Sequence, residues 1–196
     1  LTNAAFSQVN GSTDMDFSVN NLQYDANGNI LSMNQKGWKL SGSSYIDQLS
    51  YNYRPNSNQL LNVIDASNDP STKLGDFRTS TNHPQSGNKV TSTIDYTYDA
   101  NGNLKKDLNK DIGSASTDGI VYNHLNLPQQ ITIKTPSGGN GGNKGFIYYT
   151  YDAAGNKLQK QVIDYSEAGR TIVTNTKYIG GSVYESRIIT PADATR

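Results

Sequence analysis

The chain contains no cysteine. Disulfide bridges, thiolate metal ligands and a thiol nucleophile are therefore excluded together, and redox chemistry says nothing about the compartment. An excess of one charge is also missing: Lys and Arg number 17, Asp and Glu 17, and no basic run occurs. The phosphate-neutralising surface that nucleic-acid binding requires is not encoded, so no nucleic-acid partner is expected. Apolar residues make up only 34%, and no apolar run approaches the roughly 18 residues of a membrane-spanning helix, so no membrane insertion is expected. The opening LTNAAFSQVN has neither an initiator Met nor the apolar core of a signal peptide, and it reads as part of something longer. Histidine is nearly absent as well. His83 and His124 both fall in polar loop stretches and read as solvated.

Helical periodicity is hard to find, because Gly, Asn, Ser and Thr interrupt every stretch that could carry an apolar stripe. Strand signals take its place, and 13 tyrosines supply much of them. In LSYNY, Leu49, Tyr51 and Tyr53 alternate with Ser50 and Asn52. In IDYTY, Ile94, Tyr96 and Tyr98 alternate with Asp95 and Thr97. In IYYTY, Ile147, Tyr149 and Tyr151 share one face and Tyr148 takes the other. Such alternation marks half-buried strands, in which aromatic cross-strand neighbours contribute roughly 0.2–1 kcal/mol per pair. At 196 residues the chain can bury a core without staples, and 1–196 reads as a single all-β domain with no interdomain linker.

Each strand runs into a turn with its own chemistry. YDANGN occurs at Tyr24 to Asn29 and at Tyr98 to Asn103, and YDAAGN at Tyr151 to Asn156. The Asp can accept from backbone amides two residues on, and Gly adopts positive φ without steric cost, so Asp25 and Gly28, Asp99 and Gly102, and Asp152 and Gly155 are read as structural turn residues. Strand, Asx-Gly turn, strand is a hairpin. Weaker copies follow Tyr53 (NYRPNSNQL), Tyr122 (VYNHLNLPQQI) and Tyr178 (TKYIGGSVYE). With Tyr24, Tyr53, Tyr98, Tyr122, Tyr151 and Tyr178 as anchors the spacings are 29, 45, 24, 29 and 27 residues. This is an internal repeat, with the long interval carrying the polar insertion FRTSTNHPQSGNK. SGGNGGNKG reads as a flexible surface loop.

Tyr-Asp-x-x-Gly-Asn recurring at this interval resembles the YD repeats of bacterial Rhs proteins, whose pattern is Tyr-Asp-x-x-Gly-Asn/Arg-Leu and which toxin-complex C subunits and animal teneurins share. IDYTYDANGNLKKDLNK, IVYNHLNLPQQI, YTYDAAGNKLQK and KYIGGSVYE resemble the terminal repeats of that family in order, over Asn21 to Glu185. The resemblance implies a curved antiparallel sheet of successive hairpins, a segment of a spiralling β-shell. It further implies a secreted or cell-surface setting, and as partners the adjoining repeats and a C-terminal effector that the shell encloses. An isolated segment would expose sheet edges open to edge-to-edge homo-oligomerisation. Asn29, Asn103 and Asn156 stand where many relatives carry Arg. The self-cleaving block of some relatives is not carried over, since the lone Asp69-Pro70 lies inside the repeats.

Three chemical alternatives remain beside the architectural one. DANGN places oxygen ligands as a Ca²⁺ loop does, but Gly comes fourth rather than sixth and Lys36, Lys110 and Ile163 occupy the twelfth position, so no metal and no cofactor is assigned. Paired carboxylates could serve a glycosidase, yet Asp25, Asp99 and Asp152 are equivalent positions of separate repeats, and periodic structure accounts for them without catalysis. No catalytic residue is assigned. Tyr51, Tyr96 and Tyr149, with the single Trp38, could face a glycan, although packing of the sheet is the preferred role.

Overall fold

The computed structural model describes residues 7–10, 13–39, 42–67, 76–135 and 142–191. Asp69, Pro70 and residues 137–141 of the Gly-rich loop lie outside them. The protein is all-β, as the alternating pattern requires. No α-helix occurs among the described residues, and the 3₁₀ turn Leu108–Lys110 is the single helical element there.

Backbone contacts gather into two compact units, Leu1–Thr79 with Gln85–Tyr96, and Ser80–Pro84 with Thr97–Arg196. In the first unit β1 (Ser7–Asn10) pairs with β2 (Thr13–Asp16). A four-stranded antiparallel meander follows, formed by β3 (Val19–Tyr24), β4 (Ile30–Lys39), β5 (Gly42–Tyr53) and β6 (Leu60–Asp65) in sequence order. Its buried apolar side chains are Ile46, Leu49 and Val63. Gly37 interrupts β4 for a packing reason: a Cβ there would stand 2.7 Å from Ile46 Cδ1.

In the second unit β7 (Tyr96–Tyr98), which begins on the last residue of the first, pairs with β8 (Leu104–Asp107). A six-stranded meander then runs through β9 (Ile120–Tyr122), β10 (Pro128–Lys134), β11 (Asn143–Tyr151), β12 (Lys157–Asp164), β13 (Thr171–Ile179) and β14 (Ser182–Thr190). Ile120 and Ile172 are its buried apolar residues. On β11 the rings obey the expected alternation. Tyr149 lies beside Tyr151, tilted, with centroids 6.2 Å apart, and Phe146 stacks on Tyr148 at 5.8 Å on the other face.

Every anchor tyrosine stands at a hairpin. Tyr24, Tyr53, Tyr98, Tyr122 and Tyr151 are the last residues of β3, β5, β7, β9 and β11, and Tyr178 is the penultimate residue of β13. The sequence repeat is therefore a hairpin repeat.

Two expectations fail in the segment after β6. The pattern of IDYTY places Ile94 inside and Asp95 outside, but Ile94 is half exposed and Asp95 is fully buried. His83, expected in solvent, is also buried, whereas His124 is exposed. The insertion is not a loop held away from the protein. Its last residue, Lys89, and the residues that follow it to Asp95 line the open edge of β6: Asn62 Nδ2 donates to Thr91 O (3.0 Å) and Thr93 O (2.6 Å), Asp95 N donates to Leu61 O (2.9 Å), and Val63 N donates to Asp95 Oδ2 (3.0 Å). Lys89 Nζ completes the network, donating to Val63 O and to Asp95 Oδ2, each at 2.6 Å. A buried carboxylate is tolerable only with such partners, and period-two reasoning cannot register them.

Candidate functional site

The three full copies of the hexapeptide fold identically. Asp25 Oδ1 accepts from Asn27 N (2.9 Å) and Asn29 N (2.8 Å), Oδ2 accepts from Asn29 Nδ2 (2.8 Å), and Gly28 N donates to Asp25 O (3.1 Å) at φ +86°. Asp99 makes the same bonds with Asn101 and Asn103, and Asp152 with Ala154 and Asn156, with φ +84° at Gly102 and +85° at Gly155. Each carboxylate thus accepts three hydrogen bonds from its own loop. Asn, where the resemblance leads one to look for Arg, uses its amide to clamp the second oxygen. That amide, followed by the backbone N–H groups, holds the carboxyls of Asp25, Asp99 and Asp152 below the usual carboxylate range.

The weaker copy at Tyr122 keeps the geometry with other residues. Asn123 Oδ1 accepts from Leu125 N (2.9 Å) and Leu127 N (3.0 Å), and Asn126 stands in for Gly at φ +57°. Asn tolerates that conformation better than other non-Gly residues do. The anchors at the mouths of these turns lie opposite the first residue after them: Tyr24 opposite Ile30, Tyr53 opposite Leu60, Tyr122 opposite Pro128 and Tyr151 opposite Lys157, each with a bulge in the register.

Adjacent turns are joined by two devices that the spacing did not reveal. The amides of Asn27 and Asn29 both donate to Asn58 Oδ1, at 3.0 and 2.9 Å, and those of Asn101 and Asn103 both donate to Asn126 Oδ1, at 2.9 and 3.2 Å. The anchor tyrosines reach the same place from the next hairpin. Tyr53 Oη donates to Ile30 O (2.9 Å), Tyr122 Oη to Leu104 O (2.8 Å) and Tyr151 Oη to Pro128 O (3.0 Å). In each case the acceptor is the carbonyl of the first residue after the preceding turn. Tyr is needed because Phe would pack and leave that carbonyl without its donor.

The aromatic residues proposed to face a ligand belong to both units, Trp38, Tyr51 and Tyr96 to the first and Tyr149 to the second. Trp38 is 40% exposed on β4 opposite Ser43, Tyr51 lies half-buried opposite Val63, and Tyr96 opens β7. Tyr149, in the second unit, lies under Lys157 Nζ, 4.7 Å from the ring centroid. None of the four lines the described cavities, which include one of about 500 Å³ in the second unit bordered by Asn82, Leu108, Asp111 and Lys134.

One acidic cluster lies apart from the turns. Carboxylate oxygens of Asp47, Asp65 and Asp76 come within 4.8 Å of one another. Asp47 Oδ1 accepts from Phe77 N (2.7 Å), Asp65 Oδ1 accepts from Gln48 N (2.8 Å) and Ser67 N (2.9 Å), and Arg78 Nε lies 2.7 Å from Asp76 Oδ2. Burial pushes the Asp47 carboxyl up, and the charges of Asp65 and Asp76 add to the effect. Oxygen ligands at this spacing suit a hard cation, and a proton on Asp47 relieves the same repulsion. No sequence signal points here, because the three residues come from β5, the end of β6 and the far side of a segment outside the described residues.

Fold and turns together define a class, an all-β protein of serial hairpins whose recurring polar residues are occupied by the backbone of the hairpins themselves. No model of a known protein family matches the chain, and no curated protein matches it.

Proposed function

We propose that this chain is a non-enzymatic structural segment, a run of YD-type hairpins forming part of the wall of a larger Rhs-like secreted or cell-surface protein that encloses or displays another polypeptide. One observation supports this reading most: the motif's polar atoms are used by the fold. Both oxygens of each turn Asp accept from amides of its own loop, and three anchor hydroxyls are spent on the hairpin before. A catalytic or ligating carboxylate needs a free lone pair aimed at a shared point, and these aspartates sit in separate turns with their oxygens accepting locally. The partners are adjoining repeats and the enclosed effector.

The test is protease protection of the polypeptide that accompanies the repeats in the native protein. Joined to the repeats it should resist a protease that digests it when free, and equal digestion in both states rejects the reading.

The 40% exposure of Trp38 favours a second reading, a surface module that binds glycan or protein through aromatic faces. Trp38 is the sole tryptophan, so its emission reports directly. A shift with any member of a glycan panel supports that reading, and a flat response across the panel removes its glycan form.

A further inference from the structure

We propose that the outer strand β14 is a self-complementary edge that pairs antiparallel with β14 of a second copy of this chain, centred on Ser186. This goes beyond the scaffold reading and does not rest on it.

Outer strands expose unpaired N–H and C=O groups, and proteins blunt them by capping, bulging or shortening. Three of the four outer strands of the two larger sheets are blunted. In the first unit β6 is capped by the segment carrying Asn88 to Asp95, through the bonds of Asn62, Lys89 and Asp95. There too β3 is broken by two register shifts, with Asn21 at φ +54°. In the second unit β9 has only three residues. Among the described residues β14 has none of these protections. It runs nine residues in unbroken register with β13, and Val183, Tyr184 and Ile188 are 63, 59 and 57% exposed.

The sequence of β14, SVYESRIIT, states what fits beside it. Two antiparallel copies related by a two-fold axis at Ser186 place Glu185 opposite Arg187 of the second copy, and Arg187 opposite its Glu185. The same register sets Tyr184 against Ile188, Val183 against Ile189 and Ser182 against Thr190. Opposite charges and aromatic with β-branched residues are the favourable cross-strand pairs, and an isologous contact repeats each of them. Within one chain Arg187 has no ion-pair partner among the described residues, whereas Glu185 Oε2 accepts only a 3.3 Å bond from Thr176 Oγ1. The pairing joins two six-stranded sheets into one continuous sheet.

The register can be trapped, because the chain has no cysteine of its own. S186C places one thiol on the two-fold axis, where directly opposed Cβ atoms are about 4.5–5.5 Å apart, within reach of a disulfide after a small shift. S182C, on the same strand, opposes Thr190 of the other copy. Mild oxidation of the 196-residue chain should cross-link S186C and leave S182C unlinked. In sedimentation equilibrium, E185R and R187E should each weaken the dimer about tenfold or more, since each sets like charges opposite twice. The double variant E185R/R187E should restore it. A wild-type chain that stays monomeric from micromolar to millimolar concentration overturns the proposal. So does equal cross-linking of both cysteine variants, which means contact without register, or a double variant no tighter than the single ones. A monomeric result, with β14 free for the next strand of a longer chain, leaves the scaffold reading standing.

Discussion

The two units finish their sheets in opposite ways. In the first, the last strand of the meander is sealed by a polar segment whose Lys89, Thr93 and Asp95 meet Asn62 and the backbone of β6. In the second, β14 ends the meander bare on its outer side, with eight of its nine residues exposed. The contrast shows how a chain this poor in Leu, Ile and Val is stabilised. Apolar burial is thin in both units, so order depends on polar groups meeting partners one by one, and where the described residues supply no partner segment the strand stays open. An unmade bond at a buried site costs about 1–3 kcal/mol, so the sealed edge is the more easily damaged of the two.

The sharpest way to break the comparison is Lys89→Met. Lys89 and Asp95 side chains are 6% and 0% exposed, and removing one member of a buried pair strands the other, at about 3–5 kcal/mol. Amides of β6 should lose their protection in hydrogen exchange while those of β11 to β13 keep theirs. Equal loss in both units would erase the distinction. Gly119→Ala should cost about 3 kcal/mol by urea unfolding, because a Cβ there meets the backbone of Gly113 and Ile112. This places tight backbone approach, rather than a sealed edge, as the weak point of the second unit.

Tyr122→Phe and Tyr151→Phe each remove one hydroxyl bond to the preceding hairpin and should cost about 1 kcal/mol. Tyr53→Phe should match them if the tether works alike in both units. Asp47→Asn should raise the melting temperature slightly at neutral pH. Burial holds the folded carboxyl above its usual 3.8. Its favourable contribution is present below that value and lost as pH rises through the raised one, so at pH 7 the charge is a cost. The turn aspartates run the other way. Asp25, Asp99 and Asp152 are held below 3.8, so their contribution is complete above about pH 4 and fades as pH falls through the depressed values. Asn156→Ala should lessen that acid sensitivity, seen as a flatter melting temperature between pH 5 and pH 2, the smallest effect of the five.

The hairpins and their turns are legible in the order of residues alone. YDANGN names its own hydrogen bonds, since the Asp, the Asn and the Gly act within five residues, and six tyrosines mark six hairpins, five of them as the last residue of a strand. What lies between turns is not legible. The Asn58 and Asn126 staples and the tyrosine tethers span 18 to 31 residues, and spacing does not say which atom faces which. IDYTY misleads for a related reason: Asp95 is inside because Lys89 is, and alternation counts apolar residues, not pairs. The acidic cluster gives no signal because it joins three distant segments.

By itself, then, the sequence determined the local geometry: strand pattern, turn chemistry and the order of hairpins, all set by residues within a few positions of one another. Only the tertiary structure decided which polar groups are buried, which edge is sealed and which is open. A buried charge or an exposed strand is defined by what the rest of the chain brings beside it, and that is not written in the neighbouring residues.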